Sequence, residues 1–341
     1  MDCFKIVAAL LVVAIHISPL SSLNETADFV LTRIWARTAV PFFLMVTGFF
    51  VLPRCMKENG GRKYLLHALK KLGILYCAAV ILYLPVNVYT GYFKGQDVGV
   101  KIVKDLMING TFYHLWYMPA AITGLVVVYL LLKYLGYSWT IFSTLIFYVI
   151  GLFGDSYYGV IENVPVVKTF YDGIFSVAEY TRNGLFMAPV FLMMGYILAG
   201  AQKKAVGERF DRKDCAAGLA VFFVLLNMEG LTLHFFNVQR HDSMYIFLLP
   251  VMFFLFQLIL YLPGKDLKTP GDLPMYIYIL HPLCLILVRG VGKVLKLTKY
   301  IVDISYVNYI IVVFMTVIVS LAVIWIKQIV KKVMIDGKSL D

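Results

Sequence analysis

Apolar residues recur along this chain in long blocks, and polar residues collect in the intervals between them. Ten blocks read as helical spans: Phe4 to Leu20, Thr38 to Pro53, Leu69 to Tyr89, Tyr113 to Leu132, Ser138 to Phe153, Asn183 to Ala199, Ala216 to Leu233, Met244 to Leu262, Met275 to Val288 and Ile304 to Ile329. No internal repeat and no low-complexity linker divides them. The expected fold is an all-α polytopic membrane protein, one bundle of about ten transmembrane helices forming a single domain over 1–341. Two intervals are long enough to carry structure of their own, Gly91 to Phe112 and Gly154 to Arg182; Val100, Val103, Leu106 and Met107 predict a short amphipathic helix in the first.

Composition agrees with this pattern. Of 341 residues 61% are hydrophobic and 15% charged, and the mean hydropathy of +0.81 is far above that of a soluble domain. A net charge of +11 would suggest a nucleic-acid partner in a soluble protein, but here it follows from where the basic residues lie. Arg54, Lys57, Arg62, Lys63, Lys70 and Lys71 crowd the second connection. Lys203, Lys204, Arg209, Arg212 and Lys213 crowd the sixth, and Lys327, Lys331, Lys332 and Lys338 the tail. With Lys5, Lys133, Lys265 and Lys268 these are 19 of 31 lysines and arginines on one side, which the positive-inside rule makes cytoplasmic along with both termini. Arg289, Lys293, Lys296 and Lys299 fall on the other side in this count. The start of the chain has one basic residue and no A-x-A site, so a retained span is expected rather than a cleaved signal peptide.

The first span carries the least expected chemistry. Ten apolar residues separate Lys5 from His16. Eleven helical steps bring the two nearly back to one face, about 16 Å apart along the axis. A histidine inside an apolar span is a functional candidate by default, whereas a lysine at a helix end can be an ordinary anchor. Under the chosen orientation His16, Arg37, His114, Arg182, Glu229, Arg240, His241 and Asp242 all fall in the outer half. Arg33 and Arg37 precede the second span, where a guanidinium can bind a carboxylate, phosphate or thioester oxygen, or simply hold the interface. Tyr113, Trp116 and Tyr117 around His114 fit an aromatic belt. The Arg240-His241-Asp242 run offers a base with a charge pair, or a loop salt bridge. Thr47-Gly48 reads as close helix packing, and His281 as a partner for a carbonyl freed by Pro282. The five cysteines have no metal-binding spacing and read as small hydrophobes, so no metal is expected.

Taken in order, several of these segments resemble the blocks of the acyltransferase-3 family of integral membrane acyltransferases. Lys5 with ten residues before His16 resembles its Arg-X10-His signature. Arg37 to Phe49, His114 to Pro119, Arg182 to Phe186 and Tyr278 to Pro282 are similar to later blocks. The wording Arg240 to Tyr245 and Val13 to Leu20 looks most like the membrane part of the serine racemases of vancomycin resistance, whose additional soluble racemase domain is not expected within these residues. Lys5 stands where the family has arginine, which keeps the charge and loses the planar fork. The resemblance implies an acyl-CoA donor, commonly acetyl-CoA, used as a substrate with no tightly bound cofactor. It implies a hydroxyl acceptor such as a cell-envelope carbohydrate, and a place in a bacterial plasma membrane. His16 would act as general base and Arg37 as its catalytic companion, with Lys5, His114, Arg182, Glu229, Arg240, His241 and Asp242 binding substrate. The alternative it implies is a module that binds or transports serine.

Overall fold

In a computed structural model, residues 1–201, 210–262 and 271–337 are described, the side chains of 201 and 333–337 excepted. Among them every element is helical. Lys203, Lys204, Arg209, Lys265, Lys268 and Lys338, which helped to fix the orientation above, lie outside the described residues. Two compact units are present, Met1–Ala39 with Leu262–Asp341, and Val40–Tyr261.

In the first unit α1 (Asp2–Ile17) packs on α14 (Leu273–Val294) and α16 (Ser305–Gly337). The chain stops α1 at Ser18, whose left-handed φ of 56° turns its N–H onto the Ala14 carbonyl ahead of Pro19. Asp28 then receives the Leu20 N–H at 2.8 Å. Ser305 fixes the start of α16 to the same turn, donating its hydroxyl to the Pro19 carbonyl at 2.7 Å and its N–H to Ser22 Oγ at 3.1 Å. Tyr309 reaches the Leu10 carbonyl at 3.2 Å. At the other end Lys327 meets Asp272 at 2.8 Å. Asn24 caps α2 (Glu25–Phe29) by accepting from the Ala27 N–H, so the run before the second span is helical rather than a loop. It continues through a π turn (Val30–Ile34) and a 3₁₀ turn (Trp35–Thr38) that packs against α1.

The second unit holds α3 (Ala39–Phe50, from Val40 on), α4 (Leu52–Cys55), α5 (Gly61–Tyr89), α6 (Val98–Lys104), α7 (Tyr117–Tyr134), α8 (Gly136–Phe153), α9 (Tyr158–Ile161), α10 (Pro165–Phe175), α11 (Ala188–Ala201), α12 (Arg212–Phe235) and α13 (Leu248–Tyr261). Helix α11 packs on α7 and α8, and α12 on α13. A Cβ on Gly48 of α3 would overlap the Leu192 carbonyl of α11, and one on Gly195 of α11 the Met45 carbonyl of α3. Thr47-Gly48 is thus a backbone-to-backbone crossing, as its sequence suggests. Helix α6 carries Val100 and Val103 of the amphipathic stretch expected in the first long interval, Leu106 and Met107 fall in the π turn (Asp105–Asn109) that follows it, and α9 and α10 lie in the second interval.

Each of the ten expected spans contains a helix, and among the described residues seven stretches are long and apolar enough to cross a bilayer: Glu25–Cys55, Gly61–Tyr89, Tyr117–Tyr134, Gly136–Phe153, Arg212–Phe235, Leu273–Val294 and Ser305–Lys332. Helices α1, α11 and α13, of 16, 14 and 14 residues, are shorter. At 1.5 Å per residue, 14 residues rise about 21 Å against a hydrocarbon core of about 30 Å. For α11 and α13 the expected starts, Asn183 and Met244, are instead buried residues of non-helical segments, and α7 begins at Tyr117 rather than Tyr113. Conversely α14 runs on to Val294, so Arg289 and Lys293 belong to a helix rather than to a connection.

Candidate functional site

The first unit brings together two histidines. His16 occupies the last turn of α1, and its ring stacks on that of His281 in α14, with centroids 5.2 Å apart and planes inclined by 25°. His281 is fully buried, and its Nδ1 lies 3.1 Å from the Ile277 carbonyl one turn back. A carbonyl only accepts, so Nδ1 is the donor there and Nε2 of a neutral ring keeps the lone pair. The sequence reading of His281 as a backbone partner holds, but its contact with His16 could not be read from residues 265 positions apart. Arg37 is buried in the 3₁₀ turn against α1, 7% exposed, while Arg33 lies in the preceding π turn. Lys5 forms an ion pair with Asp2 at 2.8 Å in its own first turn. That pair and hydrogen bond with the lysine hold the Asp2 carboxyl below its usual range.

The second unit gathers its candidates in turns that precede helices. Arg182 lies over the Tyr180 ring at 4.1 Å and the Trp116 ring at 5.2 Å, and donates from Nη1 to Ser243 Oγ at 3.1 Å. Cation–π contacts contribute from about 0.5 kcal/mol at exposed sites to about 2 kcal/mol where desolvated, and the half-buried Arg182 has Tyr180 and Trp116 as its frame. His241 packs on the other side of the sequence run, against Tyr180 at 4.5 Å. Burial pushes the Tyr180 phenol up, Glu179 adds to the shift, and Arg182 and Arg240 oppose it. Arg240 turns elsewhere, over Phe175 at 3.4 Å and towards the Glu179 carbonyl at 3.4 Å. Asp242 is half-buried in the same loop. His114 is buried among Tyr83, Phe112 and Tyr113, with centroids 4.9 to 5.7 Å away. It lies two residues before Trp116, so one turn carries both His114 and a ring beneath Arg182.

Two carboxylates hold this cluster in place. Asp155, which nothing in the sequence pattern singles out, is fully buried. Its Oδ1 accepts from the N–H groups of Ser243 at 2.6 Å and Met244 at 3.0 Å, and its carbonyl accepts from Arg240 N–H at 3.1 Å. Glu229 accepts at Oε1 from Tyr157 OH (2.7 Å) and Ile246 N–H (2.6 Å), and at Oε2 from Phe247 N–H (2.9 Å). The Ile246 and Phe247 N–H groups are donors left open at the entry to α13, so the carboxylate acts as a helix cap. Asn183 does the same for α11, accepting from Leu185 and Phe186 N–H at 2.9 and 3.0 Å. Irregular backbone in apolar surroundings is tolerated where side chains satisfy it in this way. Cys55, Cys215 and Cys284 are buried thiols that form no disulfide, and among the described residues no three His, Cys, Asp or Glu side chains gather as a metal site would require.

A family model described as an acyltransferase domain matches residues 1–327, and so spans both units. An amino-acid racemase of Enterococcus faecalis is 39% identical over 327 residues, which are 94% of this chain and 44% of that protein. A serine/alanine racemase of Enterococcus gallinarum is 34% identical over 324 residues, 93% of this chain and again 44% of the relative. The chain therefore spans less than half the length of these relatives. No solved structure matches it.

Proposed function

The chain belongs to the acyltransferase-3 family of membrane acyltransferases, and we propose that it moves an acyl group, acetyl in the simplest case, from acyl-CoA to a hydroxyl of an extracytoplasmic acceptor such as a cell-envelope carbohydrate. The observation that carries this reading is the His16 ring at the end of α1, stacked on a buried second imidazole. In the proposed reaction His16 takes the proton of the acceptor hydroxyl as its oxygen attacks the thioester carbonyl. The oxyanion collapses, the C–S bond breaks, and His16 returns the proton to the departing thiolate, giving an ester and free CoA. A positioned histidine contributes roughly 10² to 10⁴-fold in such a step. Arg37, in the same unit as His16, is assigned to the developing oxyanion, where a preorganised buried donor is worth most. Arg182 is assigned to substrate oxygens and Lys5 to the donor's phosphates. His114, Arg240, His241 and Asp242 are assigned to substrate binding less directly, and the three donors on Glu229 favour a structural duty for that residue. About ten spans, cytoplasmic termini and a bacterial plasma membrane complete the proposal.

The test is release of free thiol from acetyl-CoA by the protein in nanodiscs, with labelled acetyl followed into added carbohydrate. Transfer that is lost in His16→Ala is expected; transfer at the wild-type rate in that variant refutes the base assignment, and no transfer with any donor refutes the reaction. A second reading is favoured by the relatives' names, amino-acid racemase and serine/alanine racemase. In it the chain binds or carries serine, with an arginine on the carboxylate. Saturable uptake of labelled serine into proteoliposomes without any acyl donor is the result that would decide for it.

A further inference from the structure

A cavity of about 360 Å³ opens in the second unit, walled by Ala120 and Thr123 of α7, Ile174 of α10, Ala178, Phe186 and Met107, with almost no polar surface. Its size lies within the range of small-molecule sites. The space is held open by small residues. Ala120 and Ala178 contribute only a methyl each, and a Cβ on Gly184 would meet Thr123 Cβ at 2.6 Å. The roof is tied down by polar contacts outside the cavity: Lys104 Nζ donates to the Ser176 carbonyl at 2.6 Å, and Asn109 Oδ1 accepts from Glu179 N–H at 2.9 Å.

What lies beside it gives the occupant a direction. Trp116 is the N-cap of α7, and 116, 120 and 123 follow one another at helical spacing on one face. The Trp116 ring under the Arg182 guanidinium is therefore one turn from the cavity wall. Trp116 and Tyr180 meet the guanidinium at that end, amphipathic rings of the kind that mark a boundary between hydrocarbon and water. At the rim Met107 is 65% exposed, and Val177 and Leu185 are also exposed apolar residues.

We infer that this cavity binds a single unbranched alkyl chain of an amphiphile, its polar head lying at the Trp116 and Arg182 end. An apolar wall selects the chain, and the aromatic and guanidinium groups mark where the head must stop. The inference extends the acyltransferase reading by giving its substrate an apolar chain, and rests on that reading only for the chain's use. Two sources share this chemistry, a membrane lipid and an amphiphilic substrate.

The test is a binding experiment that needs no acyl transfer. Protein in nanodiscs is labelled with a diazirine-bearing ten-carbon fatty acid and, separately, the matching alcohol, and the labelled peptides are mapped by mass spectrometry. Labelling concentrated in 107–123 and 174–186, competed by decanoate and not by acetate, and reduced at least fivefold in Ala178→Phe, is expected. Met107→Trp, at an exposed rim position, gives the same reading if the buried variant fails to fold. Labelling spread evenly along lipid-facing helices such as α5, or unchanged in the variants, overturns the inference. Native mass spectrometry separates the sources: a co-purifying phospholipid lost in Ala178→Phe identifies a lipid, and binding only of the added single-chain probe identifies a substrate-like amphiphile. Loss of acyl transfer with labelling intact counts against the reaction and leaves the site standing.

Discussion

The His16 ring stacks on His281 at a centroid distance of 5.2 Å, joining the last turn of α1 to the middle of α14. Because Nδ1 of His281 is held by the Ile277 carbonyl, the ring beneath His16 has a fixed orientation. In His16→Ala the base itself is lost, and transfer should fall by roughly 10² to 10⁴-fold. His281→Phe keeps a ring for the stack and loses the tether. It should lower kcat by a smaller factor with little change in KM, and a steady-state comparison of the two variants checks the order.

Asp155 holds the loop carrying Arg240, His241, Asp242 and Ser243 through two N–H groups and its own carbonyl. Removing a charged acceptor from buried donors costs about 1.5 to 3 kcal/mol per bond. Asp155→Ala should therefore lower Tm by several degrees and open the 238–245 loop to protease, while Asp155→Asn, which keeps one accepting oxygen, should lose less. Thermal unfolding in detergent with limited proteolysis measures both.

Long apolar blocks made the helices legible, because hydrophobic length is a property of consecutive residues. The starts of α11 and α13 were not legible, because Asn183, Asp155 and Glu229 satisfy the backbone there and two of these act across 17 to 89 positions of sequence. The same reason hid the His16 to His281 stack. His16 stood out as a histidine in an apolar run, and Arg37 and Arg182 stood out as guanidinium groups next to spans. That Arg182 rests on Trp116 and Tyr180, while Arg240 rests on Phe175, is tertiary information no spacing contains.

Glu229 separates a structural from a binding role. With three protein donors on its oxygens, Glu229→Ala should reduce stability by a few kcal/mol, and any surviving activity should keep its KM. Tyr157, which donates to it, has its phenol raised above the ordinary value by burial, with the hydrogen bond and charge of Glu229 adding to the shift. A raised acid favours the protonated form in the fold, so this contribution is complete below about pH 10, the ordinary tyrosine value, and is lost as pH rises towards the folded value. Unfolding midpoints against pH should fall in the alkaline range for the wild type, and that part of the fall should be missing in Tyr157→Phe.

Gly48 and Gly195 let α3 and α11 meet backbone to backbone, each facing a carbonyl of the other helix. Neither contact involves a side chain that could swing away, so an added methyl forces the helices apart. Overpacking of this kind costs typically 1 to 3 kcal/mol. Gly48→Ala and Gly195→Ala should each lower Tm, and because both act on one crossing, the double variant should lose less than the two losses added together. Additive losses in thermal unfolding would mean that the two glycines serve separate contacts, contrary to the geometry of the crossing.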